Sequence, residues 1–132
     1  MKTMGRITGF ILTGLLLIIT VNISAQGKDS FVGIWEGMFM NDFRTVIKLE
    51  CDSTQKFSGR ILMFDGTQQI QDDELFKISI EEYRLTYYIM AKETHYKGEL
   101  NPSNGELSGF FIFPDDSEHP LTVKMKDATP NE

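Results

Sequence analysis

Short runs in which apolar and polar residues alternate one by one dominate the chain from about residue 31 onward. In the run FRTVIKLEC (43–51), Phe43, Ile47 and Leu49 alternate with mostly charged residues, and ELFKISI (74–80) and LTVKM (121–125) follow the same rule. A period of two places the apolar side chains of a strand on one face, as a half-buried antiparallel strand requires. No segment after residue 25 shows a convincing helical apolar stripe. The pattern therefore predicts an all-β domain.

Turn signals separate these runs at short intervals. Asp-Gly, Asn-Pro and Asn-Gly occur at 65–66, 101–102 and 104–105, and such dipeptides favour tight turns because they adopt or preset the required φ values. The connections are short, so we predict an antiparallel up-and-down meander that curls into a small barrel and thereby removes its exposed edges. The predicted strands are about eight in number, at 31–40, 43–51, 56–64, 74–80, 83–91, 94–100, 106–113 and 119–126.

Glycines recur inside the predicted strands. A glycine within a strand marks a bend, a bulge or a close approach of backbone, and a small barrel needs such points of strong curvature. We therefore predict that these glycines are structural. They are Gly33, Gly37, Gly59, Gly98 and Gly109.

The first 25 residues are of a different kind. Lys2 and Arg6 precede the apolar run GFILTGLLLIITV (9–21), and Ala25 stands at the end of a small-residue cleavage site. This is the order of a secretory signal peptide, and the apolar run is shorter than the roughly 20 residues of a membrane-spanning helix. We predict a cleavable helical signal peptide over 1–25, with cleavage after Ala25. Retention of the segment as a membrane anchor is the alternative.

The predicted mature chain is small and acidic. It comprises a mobile N-terminal segment (26–30), one barrel domain (31–126) and a mobile tail (127–132), and we expect it in the periplasm or outside the cell, with no stable membrane span. The formal net charge of −6 becomes −8 when the two positive charges of Lys2 and Arg6 are removed. Because nucleic acids select clustered Lys and Arg, this charge argues against a nucleic-acid partner.

The triplet Gly33-Ile34-Trp35 at the start of the first predicted strand resembles the Gly-x-Trp signature of lipocalins and related calycin barrels. The resemblance implies that Trp35 plugs one end of the barrel under a basic side chain from a late strand. Lys124, in LTVKMK, stands where that base would be, although the family usually has an arginine there.

A longer series of motifs, from GIWEG through VIKL, FSGRI, YKGELN and GELSGFF to PLTVK, is similar to a small lipocalin-like domain of secreted bacterial proteins. The similarity covers roughly Phe31 to Lys126. That domain often precedes an alpha/beta-hydrolase or beta-lactamase-like domain and also occurs alone, and here we expect it to stand alone. The resemblance implies a fold and carries no catalytic residue to this chain.

Catalytic motifs are missing from the sequence. There is no G-x-S-x-G, H-E-x-x-H, C-x-x-C or glycine-rich phosphate loop. His95 alternates with Glu93 and Lys97, so we expect it on the charged outer face. His119 follows the acidic turn PDDSE (114–118), which we interpret as a solvated hairpin turn that lacks the spacing of a calcium loop. We predict neither enzymatic activity nor a metal or cofactor.

Aromatic residues provide the best indication of function. Runs such as YRLTYYIM (83–90) and GFFIF (109–113) carry large apolar side chains on both faces, whereas a one-sided sheet needs only one apolar face. One interpretation is a barrel that binds a small apolar or amphipathic molecule. The alternative is a barrel filled by its own side chains that serves as a protein-interaction or accessory module for a secreted enzyme. The predicted ligand-lining residues are Trp35, Ile47, Leu49, Tyr87 and Phe111.

Overall fold

The computed structural model describes residues 30–126, which form an almost entirely β-stranded domain. The predicted signal peptide, residues 26–29 and the predicted tail (127–132) lie outside the described residues. A short 3₁₀ helix, Met90–Lys92, connects the sixth and seventh strands. The strands are β1 (Gly33–Phe39), β2 (Phe43–Cys51), β3 (Phe57–Asp65), β4 (Gln68–Glu74), β5 (Phe76–Glu81), β6 (Arg84–Ile89), β7 (Thr94–Asn101), β8 (Glu106–Ile112) and β9 (Glu118–Met125).

All nine strands belong to one antiparallel sheet in the order β4-β3-β2-β1-β9-β8-β7-β6-β5. Except for the pairing of β1 with β9, every neighbour in this order is also a neighbour in sequence, so the predicted up-and-down meander is confirmed. The β1–β9 pairing places Trp35 beside Met125 and Gly37 beside Val123. It brings the two ends of the described chain together and curls the sheet into a nearly closed barrel.

The structure contains one strand more than the sequence predicted. β4 was missed because QQIQDDE has polar residues at both alternating sets of positions and therefore shows no apolar face. Its pairing with β3 is nevertheless continuous apart from a β-bulge between Met63 and Phe64. The predicted fourth strand, 74–80, corresponds to β5 alone.

β4 and β5 are two halves of one segment that bends at Leu75. The first half pairs with β3 and the second half with β6, so consecutive residues supply both edges of the sheet. Leu75 is buried, and its N–H donates to the carbonyl of Gly59 at 2.9 Å. A β-bulge follows at once, where Lys77 has a φ of 51° and the register with β6 shifts between Phe76 and Ser79. We call the region where the two edge strands, β4 and β5, come together the seam.

The side chains that alternate in the sequence point alternately to the inside and the outside of the barrel. In β7, for example, Thr94, Tyr96, Gly98 and Leu100 are buried, and each residue between them is exposed. Buried apolar residues of β1–β3 and β6–β9, together with Phe31 and Leu75, form one continuous core. Burial of apolar side chains contributes roughly 25 cal/mol per Å² of buried area, which makes this core the main stabilising element of the domain.

The five glycines predicted to be structural all lie where a side chain does not fit. A Cβ atom at any of them would meet a neighbouring atom at 2.5 Å or less. Gly98 and Gly109 are register partners in β7 and β8. The phenol of Tyr96 lies over Gly98, where a Cβ would be 2.5 Å from the hydroxyl oxygen, and donates across Gly109 to the carbonyl of Leu121 at 3.3 Å. Gly98 thus makes room for a buried tyrosine, whereas a side chain at Gly109 would meet the backbone of Lys97 in β7.

Within residues 30–126, the structure has no helix that is long and apolar enough to cross a membrane.

Gly98→Ala is expected to destabilise the domain. The new methyl group would displace the Tyr96 ring, and overpacking of this kind costs about 1–3 kcal/mol. Urea unfolding measures the change in the free energy of unfolding. Ser58→Ala, at an exposed position of β3, is the control and should change the free energy of unfolding by less than about 0.5 kcal/mol. A Gly98→Ala protein as stable as the parent would contradict the role assigned to the glycine.

Candidate functional site

The five residues predicted to line a ligand site are all buried inside the barrel. Each exposes 2% or less of its surface. The structure does not gather them around one cavity, however. Only Phe111 lines the apolar pocket described below, and the other four are packed in the core.

Trp35 lies towards the end of the barrel where β1 begins. Its indole N–H donates to the carbonyl of Phe31 at 3.0 Å, and the two rings are 6.3 Å apart. Phe31, which precedes β1, is completely buried. Gly33, between them, has a φ of 142°, a value that favours glycine. The local chain therefore folds back over the indole and covers this end of the barrel.

The predicted contact of Lys124 with Trp35 is wrong. Lys124 is exposed, and its register partners are Glu36 in β1 and Glu106 in β8. Because side chains alternate along β9, Lys124 points outward while its neighbour Met125 takes the position beside Trp35. Methionine thus replaces the basic side chain that the lipocalin resemblance implied.

A row of aromatic rings fills the middle of the barrel. Tyr87 and Tyr96 stack with ring centroids 5.0 Å apart. Tyr96 meets Phe111 edge to face at 5.3 Å, and Phe111 meets Phe39 in the same way and at the same distance. Aromatic pairs in these arrangements add about 0.5–1.5 kcal/mol beyond their buried area. These rings belong to the same buried core as Trp35.

The hydroxyl groups of the two stacked tyrosines differ in their environment. Tyr96 donates to the carbonyl of Leu121, whereas the buried hydroxyl of Tyr87 has no hydrogen-bond partner within residues 30–126. Desolvation raises the pKa of Tyr87 well above its ordinary value, and it also raises the pKa of Tyr96. Both phenols therefore remain neutral at physiological pH.

An apolar pocket with a volume of about 230 Å³ lies at the other end of the barrel. We call it the seam pocket because its walls come from β3 and β4 on one side of the seam and from β6 and β7 on the other. The ends of β1 and β8 and the turn after β8 complete it. Its lining residues are Phe39, Met63, Gln71, Ile89, Lys92, Thr94, Phe111, Phe113 and Pro114.

Three polar side chains stand among these apolar walls. Gln71 lies on β4, and its amide donates to Asp73 at 2.8 Å. Thr94 is buried, and its hydroxyl donates to the backbone carbonyl of Lys92 at 2.9 Å. Lys92 is the one charged residue among the pocket-lining residues that the structure describes. The pocket therefore combines an apolar interior with a few polar groups, as small-molecule sites commonly do.

His119 belongs to a hydrogen-bonded turn beside the pocket. Ser117 donates its hydroxyl proton to Asp115 at 2.6 Å, so the contact of 2.9 Å between Ser117 Oγ and His119 Nε2 has the imidazole as donor. These bonds hold the pKa of Asp115 below its usual range. A nucleophilic serine would direct its proton to the histidine, so this arrangement stabilises the turn and does not activate Ser117.

The two histidines occupy different environments. His95 is exposed on the outer face, as predicted, with its ring 4.6 Å from that of Tyr88. His119 is half-buried, and its ring lies tilted against that of Phe113 with the centroids 4.1 Å apart. In the described part of the chain, no group of three or more His, Cys, Asp or Glu residues could hold a metal ion.

Sequence reasoning missed most of the pocket. Gln71 lies on the strand that showed no alternation, and Lys92 and Phe113 lie in connections between strands. The turn signal around Pro114 correctly predicted a connection between strands. No pattern in the sequence indicates that Pro114 and Met63 line the same pocket. Alternation predicts which residues are buried. Burial alone does not distinguish a residue packed in the core from one that lines a pocket.

Fold and site together define an antiparallel β-barrel with a filled interior at one end and a small apolar pocket at the other. The sequence matches no protein-family model and no curated protein.

Phenylalanine substitutions at the stacked tyrosines are expected to have opposite effects. Tyr96→Phe removes the bond to Leu121 and should lower the free energy of unfolding by about 0.5–1.5 kcal/mol. Tyr87→Phe removes a buried hydroxyl without a partner and should leave stability unchanged or increase it. Urea unfolding of the two variants, each with the same change in size, tests this difference. Equal losses would show that the Tyr87 hydroxyl is satisfied in the folded protein.

Proposed function

We propose that this protein is an exported, non-enzymatic, lipocalin-like barrel that binds a small apolar or amphipathic molecule in the seam pocket. The observation that carries the proposal is the pocket itself, in which six apolar side chains, Pro114 among them, surround a space next to a well-packed core. Concave apolar sites with a few polar groups are the usual form of small-molecule sites.

The volume of the pocket limits the size of its ligand. An engineered apolar cavity of about 150 Å³ binds benzene, and drug-sized ligands occupy pockets of about 300–1,000 Å³. At about 230 Å³, the seam pocket matches a molecule with one ring and a short substituent, or an aliphatic molecule of similar size. A larger lipid would extend out of the barrel.

The lipocalin-like assignment rests on the fold and on Gly33-Ile34-Trp35. An up-and-down antiparallel barrel with its tryptophan buried near the start of the first strand is compatible with that family. Met125 beside Trp35 departs from the family pattern, in which a basic side chain covers the indole. The non-enzymatic assignment rests on the absence of catalytic motifs from the sequence and on the orientation of the Ser117 hydroxyl proton towards Asp115.

The alternative function, a protein-interaction module, is favoured by a different observation. Ile34, Met38 and Met40 all lie on the outer face of β1 or directly after it, and each exposes 40% or more of its surface. Neighbouring exposed apolar residues often contact other proteins. An interaction module with a filled barrel would bind no apolar probe. Measuring whether toluene binds the protein therefore also separates the two functions.

Filling the seam pocket is expected to abolish ligand binding. Gln71 lines the pocket from an edge strand, and Gln71→Trp would place an indole in the space without replacing a core residue. We expect toluene to bind the parent protein and to bind the variant at least about tenfold more weakly, since tenfold in affinity corresponds to about 1.4 kcal/mol. Ligand-detected NMR titration measures both affinities.

Gln69→Trp is the matched control for this experiment. Gln69 is exposed on the same strand and does not line the pocket, so this variant should bind toluene as the parent does. If toluene fails to bind the parent protein, or binds all three proteins equally, the seam pocket is not a ligand site and the interaction module is preferred.

Export is expected to remove residues 1–25. When the full gene product is expressed in a Gram-negative bacterium, the exported fraction should begin at Gln26, since the cleavage-site pattern ends at Ala25. Mass spectrometry of the intact protein from the periplasmic or extracellular fraction measures the terminus. Recovery of an uncleaved chain in the membrane fraction would instead indicate a retained anchor.

A further inference from the structure

The charge distribution around the seam pocket narrows the chemistry of its ligand. Lys92 provides the one formal charge among the described residues that line it. The three ion pairs in the described part of the chain join Arg44 to Glu36, Arg60 to Asp72 and Arg84 to Glu99, and none includes Lys92. Among the residues that line this apolar pocket, Lys92 therefore carries an ammonium group without an ion-pair partner.

The backbone at Lys92 is held in place by local bonds. The residue ends the 3₁₀ helix, and its carbonyl accepts the hydroxyl proton of the buried Thr94 at 2.9 Å. Glu93 follows with a φ of 49°, and its N–H donates to the carbonyl of Met90 at 3.2 Å. These contacts position the start of a flexible side chain at the rim of the pocket. A lysine held in this way can direct its charge to a bound molecule.

The other two polar side chains of the pocket each already donate one hydrogen bond within the protein. The Thr94 hydroxyl donates to Lys92, and the Gln71 amide donates to the carboxylate of Asp73. Asp73 is not among the lining residues, and its carboxylate is hydrogen-bonded within β4. The strongest polar interaction that remains for a ligand is therefore a contact with the Lys92 ammonium.

The apolar part of the pocket favours a ring. Phe39, Phe111 and Phe113 all line it, and the first two meet edge to face at 5.3 Å. Aromatic walls favour offset-stacked or edge-to-face contacts with another aromatic ring. The volume of about 230 Å³ exceeds by roughly half the 150 Å³ that accommodates benzene, which leaves room for a short substituent.

We propose that the seam pocket binds a monocyclic aromatic carboxylate, whose ring contacts the three phenylalanines and whose carboxylate pairs with the Lys92 ammonium. This inference rests on the proposed function of the pocket and specifies the class of its ligand. Charge-assisted hydrogen bonds between ammonium and carboxylate groups are roughly twice as strong as neutral ones, so the acid is distinguished from the corresponding alcohol.

The test compares two probes of nearly equal size, phenylacetate and benzyl alcohol, by isothermal titration calorimetry. On the parent protein, phenylacetate should bind at least about fivefold more tightly, because only the acid forms a charged pair. Lys92→Met keeps an apolar side chain of similar length and removes the charge. It should weaken phenylacetate binding about five- to tenfold and leave benzyl alcohol binding unchanged.

Lys97→Met is the control, because Lys97 is exposed on β7 and does not line the pocket. It should change neither affinity. Equal binding of the two probes to the parent, or an unchanged phenylacetate affinity in Lys92→Met, would overturn the assignment of a carboxylate. Tighter binding of decanoate than of phenylacetate would overturn the assignment of a ring.

Failure of this inference can be distinguished from failure of the proposed function. If toluene and benzyl alcohol bind the parent and lose affinity in Gln71→Trp, the pocket is a ligand site whatever the result with phenylacetate. If no probe binds the parent, both the proposed function and the ligand class are overturned.

Discussion

Closure of the sheet by one bent segment is the constraint on which the rest of this structure depends. Residues 68–81 pair with β3 through their first half and with β6 through their second half, and the bend lies at Leu75. Since β4 and β5 are the two edges of the sheet, this arrangement brings the edges together within one stretch of chain and limits the exposed hydrogen-bonding groups that promote aggregation. It also leaves a seam along part of the barrel, and the pocket has walls on both sides of that seam.

The interior is divided between packing and space. At one end, the chain before β1 covers Trp35, and stacked aromatic rings occupy the middle. Gly98 leaves the room that the Tyr96 ring occupies, and Gly109 allows the backbone of β7 to approach closely. Beyond Phe111 the filling ends, and a space of about 230 Å³ remains. The barrel therefore combines a packed core with an apolar pocket.

The placement of polar groups gives the two ends of the barrel different chemical characters. At the Trp35 end, the buried indole N–H is satisfied within the protein, because it donates a hydrogen bond to the carbonyl of Phe31. At the pocket, the buried Thr94 hydroxyl bonds to the backbone of Lys92 and leaves the ammonium group of that residue available. This contrast supports a structural role for the tryptophan end and a binding role for the seam end, which is the basis of the proposed function.

The sequence by itself determined the all-β class through the alternation of residues, and the meander through the short turns between strands. Alternation also indicated which side chains are buried, because the side-chain period of a strand is a local property. These buried residues include Trp35, Ile47, Leu49, Tyr87 and Phe111. Alternation also predicted that His95 lies on the outer face.

Tertiary structure alone decided the features that depend on contacts between residues across the barrel. Pairing with β3 made a strand of QQIQDDE despite its lack of an apolar face, and register placed Met125, instead of Lys124, beside Trp35. The pocket arises in the same way, since Gln71, Lys92 and Phe113 come together only when the sheet closes, and no local pattern records contacts between residues so far apart in sequence.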